Sequence, residues 1–173
     1  MRIDTQFQTP PAVAKYMAEM IPNYAITIYE PTPGLGNIVN AVKERYALKE
    51  ISVPSNDFFK EDKRKFDCII GNPPFSSKSA FMDNAPDGVE VRGMKLGYYI
   101  LKQCMEMSDN VIMLMPWFTI SDSDVRLRFL KNYGLKSLTA LPRKTFEYAR
   151  IQTVIIELEK GYAGDTLFKV FEF

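Results

Sequence analysis

The sequence contains no histidine and only two cysteines. Without an imidazole, a Ser-His or Cys-His nucleophile pair is excluded, and Cys68 and Cys104 stand in apolar surroundings without metal-ligand spacing, so no metal is expected. A charge surplus is missing too: 22 Lys and Arg face 21 Asp and Glu. No global positive field points to nucleic acid, and any attraction to DNA has to be local. No uninterrupted apolar run is long enough to cross a bilayer, and Met1–Asp4 leads into polar residues rather than an apolar core. A reduced, cytoplasmic protein without a membrane partner is the expectation. Repeats, low-complexity tracts and Gly/Ser linkers are absent as well, so residues 1–173 read as one domain.

What is present is an ordinary globular composition, 46% hydrophobic and 25% charged, with a raised 13% aromatic share. Helical spacing marks Pro11–Ile21, with Thr9 placed to cap it and Pro22 to end it, and then Asn37–Tyr46, Lys95–Met107 and Asp124–Tyr133, the last closed by Gly134. Apolar runs mark strands at Ala25–Tyr29, Ile51–Val53, Phe66–Ile70, Asn110–Met115, Leu135–Leu141, Gln152–Leu158 and, at the end, Leu167–Phe173. Strands alternating with helices predict an α/β doubly wound, Rossmann-like sheet, mostly parallel and covered on both faces. Ligands of such sheets bind beyond the carboxyl ends of the strands.

Two motifs fall at those ends. Glu30-Pro31-Thr32-Pro33-Gly34-Leu35-Gly36-Asn37 lies between a strand and a helix, where Gly34 and Gly36 permit a tight turn and close approach of a ligand to the backbone. A nicotinamide fingerprint needs glycine at position 39, which is Val39, and no Lys-Ser/Thr pair follows as a phosphate loop requires. Glu30 suits an ammonium group and the helix start beyond it suits a carboxylate, the two charges of an amino-acid zwitterion. A plain strand-to-helix turn explains the same glycines.

The second motif is Asn72-Pro73-Pro74-Phe75, at the end of a buried strand. An exocyclic adenine amine is a poor nucleophile because its lone pair is delocalised into the ring. The Asn72 side-chain oxygen and the Pro73 carbonyl are two acceptors for the amine hydrogens, the prolines stiffen their placement, and Phe75 offers a face for a base turned out of the duplex. A turn with Asn72 capping it and Phe75 in the core is the other reading.

With these residues in view, the chain resembles the gamma-ordered class of DNA adenine-N6 methyltransferases found in restriction-modification systems. Phe7-Gln8-Thr9-Pro10-Pro11 looks like that family's N-terminal donor segment, Glu30–Gly36 like its glycine loop, Asn56-Asp57-Phe58 like its adenine-pocket segment, and Asn72–Phe75 like its catalytic tetrapeptide. The resemblance continues through Val111–Phe118, Thr145-Phe146 and Gln152–Leu158. It implies S-adenosylmethionine as donor, with Phe7, Thr9, Pro10, Glu30, Gly34 and Gly36 around its methionine end, Asp57 accepting from its adenine amine and Phe58 packing on that ring. It implies DNA as substrate, with Phe146 near the target base unless it is core. Among the basic stretches Lys60–Lys65, Arg126–Lys131 and Arg143-Lys144 with Arg150, the last are the candidate DNA contacts, because they flank a loop at strand ends near the expected target base.

Two departures from the family are visible. The stretch from Glu30 to Asp57 holds one helix and one short strand, so a strand-helix unit is expected to be missing, together with the acid that normally ends the second strand and binds the donor's ribose; Glu50 stands at the wrong end. No target-recognition domain fits after Phe173, so a specificity subunit or a homodimer is the expected partner. A non-catalytic regulatory subunit that keeps the fold, or a methyltransferase acting on RNA or protein glutamine, stays open beside the DNA enzyme.

Overall fold

Residues Cys68–Gly71 and Val111–Pro116 carry no charged or hydroxyl side chain, the pattern of strands covered on both faces, and all of them are buried. They form the centre of the sheet. The computed structural model describes residues 7–55, 57–75, 95–147 and 151–173. In these, β1 (Thr27–Tyr29), β2 (Glu50–Ser52), β3 (Cys68–Gly71), β4 (Asn110–Pro116), β5 (Leu135–Ala140), β6 (Thr153–Glu159) and β7 (Leu167–Val170) make one seven-stranded sheet in the order β2-β1-β3-β4-β6-β5-β7. Among these strands only β6 runs against the rest, paired antiparallel to both β4 and β5.

Alternation along the strands divides the apolar side chains between two cores. Ile28, Cys68, Ile70, Ile112 and Leu114 meet α1 (Pro11–Glu19) and α2 (Asn37–Arg45) through Val13, Met17, Ile38 and Val42. Tyr29, Ile69, Val111, Met113 and Met115 point the other way, onto Leu96, Ile100, Leu101 and Cys104 of α3 (Lys95–Met107), with Ile120 of α4 (Phe118–Ser121) and Leu130 of α5 (Asp124–Tyr133). Removing a large aliphatic side chain from water contributes about 1.5–3 kcal/mol, so the two helical layers lock the inner strands in register. The Asp67 carboxylate adds a polar clamp, accepting from the Ile26 and Thr27 amides at 2.9 and 2.8 Å. The Asn110 side chain in turn donates to the Asp67 carbonyl.

The expected helices α3 and α5 stand where the periodicity puts them, and the order β2-β1-β3 is as expected. One strand, β2, lies between Tyr46 and Asp57, so the predicted short arrangement holds; the seventh strand is β7, at the opposite edge, parallel to β5. β2 begins one residue earlier than its apolar run, and β1 and β3 are shorter than theirs. Thr9 does not cap α1. Pro10 occupies that position without a side-chain bond, because the Thr9 hydroxyl is committed elsewhere. The four-residue α4, too short to show a period, has no counterpart in the sequence reading.

Candidate functional site

β1 and β3 are neighbours, so the loops leaving their carboxyl ends, 30–36 and 72–75, emerge side by side. A hydrogen bond ties them, from the Thr32 hydroxyl to the Asn72 carbonyl at 3.2 Å. Residues 7–9 cross both loops. Gln8 Oε1 accepts from the Leu35 amide at 2.8 Å, and Asn37 Nδ2 donates to the Thr9 carbonyl at 2.8 Å. On the other side Asn72 Nδ2 donates to the Phe7 carbonyl at 2.9 Å and to the Thr9 hydroxyl at 3.1 Å. Three segments far apart in sequence thus enclose one open cleft, with about 270 Å³ of empty space, lined by Phe7, Gln8, Thr9, Glu30, Thr32, Pro33, Gly34, Asn37, Ile38 and Asn72.

The orientation of the Asn72 carboxamide follows from its partners. A carbonyl oxygen only accepts, so Phe7 requires the amide nitrogen on its side. The side-chain oxygen then points away, and no donor among the described residues meets it. Glu30 is the second polar group of the cleft without a full set of partners. It is 1% exposed, and its Oε2 has no hydrogen-bond partner among the described residues. Burial pushes its carboxyl up to about 8, opposed by the Val39 amide at the start of α2. A carboxylate in such a place is costly unless a cation meets it.

Gly34 shows why the loop needs its glycines. Its φ is +54°, and an added Cβ would lie 2.4 Å from Gln8 Oε1. Gly36, also left-handed at φ +82°, is the residue from which α2 starts. Gly36 and Pro10 adjoin lining residues in sequence without lining the cleft themselves.

The remaining sequence-selected residues fall outside the cleft. Asp57 caps a short 3-10 turn, accepting from the Phe59 amide at 2.9 Å, and Phe58 packs beside Phe59 and the α3-side core. Phe75 is half-buried against the α1-side core. Phe146 is 5% exposed in that core, with its ring 6.4 Å from that of Phe7. Arg143 and Lys144 are exposed just beyond β5, on the carboxyl edge that holds the cleft, while Asn56 and Arg150 lie outside the described residues. In the stretches 60–65 and 126–131, Arg126 covers the Tyr98 ring and donates to the Phe118 carbonyl, Arg128 pairs with Asp124, Lys63 pairs with Glu106 and Arg64 covers Phe66. β2 ends at Ser52, without a carboxylate, and Glu50 is exposed at its amino end. Beyond that strand Glu61 accepts from the Ser55 amide and hydroxyl at 2.7 and 2.6 Å.

Gln8, Thr32 and Asn37 are cleft residues that sequence reasoning left without a role. Both cysteines are fully buried, and burial pushes their thiols far above the usual range, so neither serves as a nucleophile. No group of His, Cys, Asp and Glu among the described residues has the arrangement to hold a metal, and no described helix is long and apolar enough to cross a membrane.

A family model described as Eco57I restriction-modification methylase matches residues 19–146. No curated protein matches the sequence. Among solved structures, the methyltransferase subunit of a type I restriction-modification system from Streptococcus thermophilus superposes with a TM-score of 0.72 at 19% identity, covering 95% of this chain and 47% of that one. A chain of another type I restriction-modification system gives 0.68 at 17% identity over 97% and 45%. A Listeria monocytogenes protein read as a class I S-adenosylmethionine-dependent methyltransferase gives 0.69 at 16% identity over 98% and 68%. The fold is therefore that of these methyltransferases, and the chain spans less than half the length of the two type I proteins.

Proposed function

The chain belongs to the Eco57I restriction-modification methylase family, and on that premise we propose that it transfers a methyl group from S-adenosylmethionine to the exocyclic N6 amine of adenine in DNA. The observation that carries this reading is the pairing, in one cleft, of a buried carboxylate with one oxygen lacking a partner and a carboxamide whose nitrogen is committed and whose oxygen meets no donor among the described residues. Glu30 fits the ammonium of the donor's methionine end, while Gly34 lets the loop close against Gln8. The amides at the start of α2 favour its carboxylate. S-adenosylmethionine, when bound, supplies a sulfonium methyl group to a nucleophile.

Asn72 Oδ1 then accepts one hydrogen of the target amine, and the Pro73 carbonyl accepts the other. Two acceptors fixed in advance draw the amine lone pair out of conjugation without a strong base. Thr9 and Phe7 hold the Asn72 amide so that its oxygen stays presented, and Thr32 holds its backbone. Phe75 supplies part of the face on which an extruded base stacks, worth roughly 1–3 kcal/mol. The motif order is that of the gamma class. Asp57 and Phe58 are assigned to the donor's adenine, and Arg143, Lys144 and Arg150 to the DNA side, while Phe146 belongs to the core. A specificity subunit or a second copy is the proposed partner for base-edge recognition, since phosphate contacts position while base contacts specify.

Isothermal titration with S-adenosylmethionine and with its demethylated product tests the reading. Saturable binding of both is expected, weakened by Glu30→Gln. No binding to the folded chain overturns it and leaves a non-catalytic subunit that retains the fold.

A further inference from the structure

α3 contains a glycine in its first turn, a residue less favourable in a helix than alanine. The φ at Gly97 is not in the left-handed region, so backbone conformation does not require it. Its surroundings do. A Cβ at Gly97 would stand 3.3 Å from Phe75 Cα and 3.3 Å from the Pro74 carbonyl oxygen, with Met115 Cε at 3.5 Å on the far side. The first amides of a helix have no partner within it, and the Gly97 amide reaches the Phe75 carbonyl in a long hydrogen bond of 3.5 Å. The helix backbone therefore packs closely on the last two residues of the Asn72–Phe75 turn, and a methyl group between them would require the turn to shift by a few tenths of an ångström.

We propose that Gly97 is a positioning residue for methyl transfer: the bare backbone of α3 sets the depth at which Pro74 and Phe75, and through the stiff proline pair the Pro73 carbonyl, meet the target base. This rests on the methyltransferase reading above. It assigns to the helix a role that neither the donor cleft nor the Asn72 contacts contain, since Gly97 touches neither.

Single-turnover transfer from S-adenosylmethionine to adenine-containing DNA is compared for the full chain, Gly97→Ala and Gly97→Val, with donor affinity and melting temperature measured on the same preparations. Gly97→Ala is expected to melt at or above the wild-type temperature and to bind donor within about threefold. Its transfer rate is expected to fall roughly 5- to 20-fold, since a displacement of about 1 Å at a reacting group can cost 10²-fold. Gly97→Val should lose more. A folded Gly97→Ala protein with wild-type transfer overturns the proposal, as does a rate loss matched by equal loss of donor binding or of melting temperature. If Gly97→Ala is wild-type while Asn72→Ala is inactive, only the role of Gly97 fails; if wild-type chain that binds donor transfers to no adenine, the functional reading fails.

Discussion

The two ends of the Asn72–Phe75 turn are held by different forces. Asn72 is fixed by directional polar contacts, two from its amide to Phe7 and Thr9 and one to its carbonyl from Thr32. Phe75 is fixed by shape, wedged against the backbone of α3 at Gly97 with one long hydrogen bond. Hydrogen bonds select an orientation, so the end that must present one particular oxygen is held by them. Steric contact selects a depth, which is what a stacking surface needs. The difference implies that damage at the polar end changes which atoms face the base, whereas damage at the apolar end changes how far away they stand.

The widest gap between the two ends should appear with Asn72→Ala. Loss of one preorganised polar group costs roughly 10²–10³ in rate, and single-turnover transfer is expected to fall by that factor with donor affinity within a few-fold. A loss no larger than that of Gly97→Ala would break the distinction. Glu30→Gln comes next and separates the donor's binding from the turn itself. A hydrogen bond to a charged group contributes about 1.5–3 kcal/mol, so donor affinity should drop roughly 10- to 100-fold by calorimetry, with transfer at saturating donor far less affected.

The same glutamate has a pH signature. Its folded carboxyl titrates near 8 against a usual 4.5, because burial disfavours the anion. Between those values the folded chain keeps a proton that the unfolded chain has released, so apo stability falls as pH rises across that window and levels off above it. Pairing with an ammonium requires the anion, so donor binding below pH 8 should eject a proton and tighten as pH rises. Calorimetry in buffers of different ionisation enthalpy reads that proton directly, and Glu30→Gln should abolish it.

Smaller effects sharpen the polar end further. Thr9→Val removes one acceptor from the Asn72 amide and should slow transfer roughly 3- to 10-fold, the equivalent of a net hydrogen bond, while Thr9→Ser restores it. Equal rates for valine and serine would show that the Phe7 carbonyl alone sets the carboxamide. Gly34→Ala should mainly lower stability, by about 1–2 kcal/mol for its left-handed backbone, and shift the melting temperature a few degrees with Gln8 displaced from Leu35.

How much of this was legible in the sequence follows the same division. α3 and α5 show their period, the inner strands show continuous apolar runs, and Glu30, Gly34, Thr9 and Asn72 sit in recognisable motifs that the fold does bring together. Gln8, Thr32 and Asn37 are ordinary polar residues in sequence, and their place on the cleft depends on which loops meet after folding. Thr9 illustrates the limit: a threonine before a helix suggests a cap, yet its hydroxyl answers a side chain 63 positions away. Asp57, a motif residue, is seen in three dimensions to cap a short turn as well. Gly97 carried one weak signal, a glycine inside a helical pattern. Its reason, a loop pressed on the helix, exists only in three dimensions.

The most direct measurement is the product itself. The purified chain, alone and with any co-purifying subunit, is incubated with methyl-labelled S-adenosylmethionine and mixed DNA and RNA, and the nucleic acids are digested to nucleosides. The expected label is N6-methyldeoxyadenosine, weak and with little sequence preference for the chain alone, and lost with Asn72→Ala. Label on cytosine or in RNA alone, or undiminished N6-methyldeoxyadenosine from a folded Asn72→Ala protein, would contradict it.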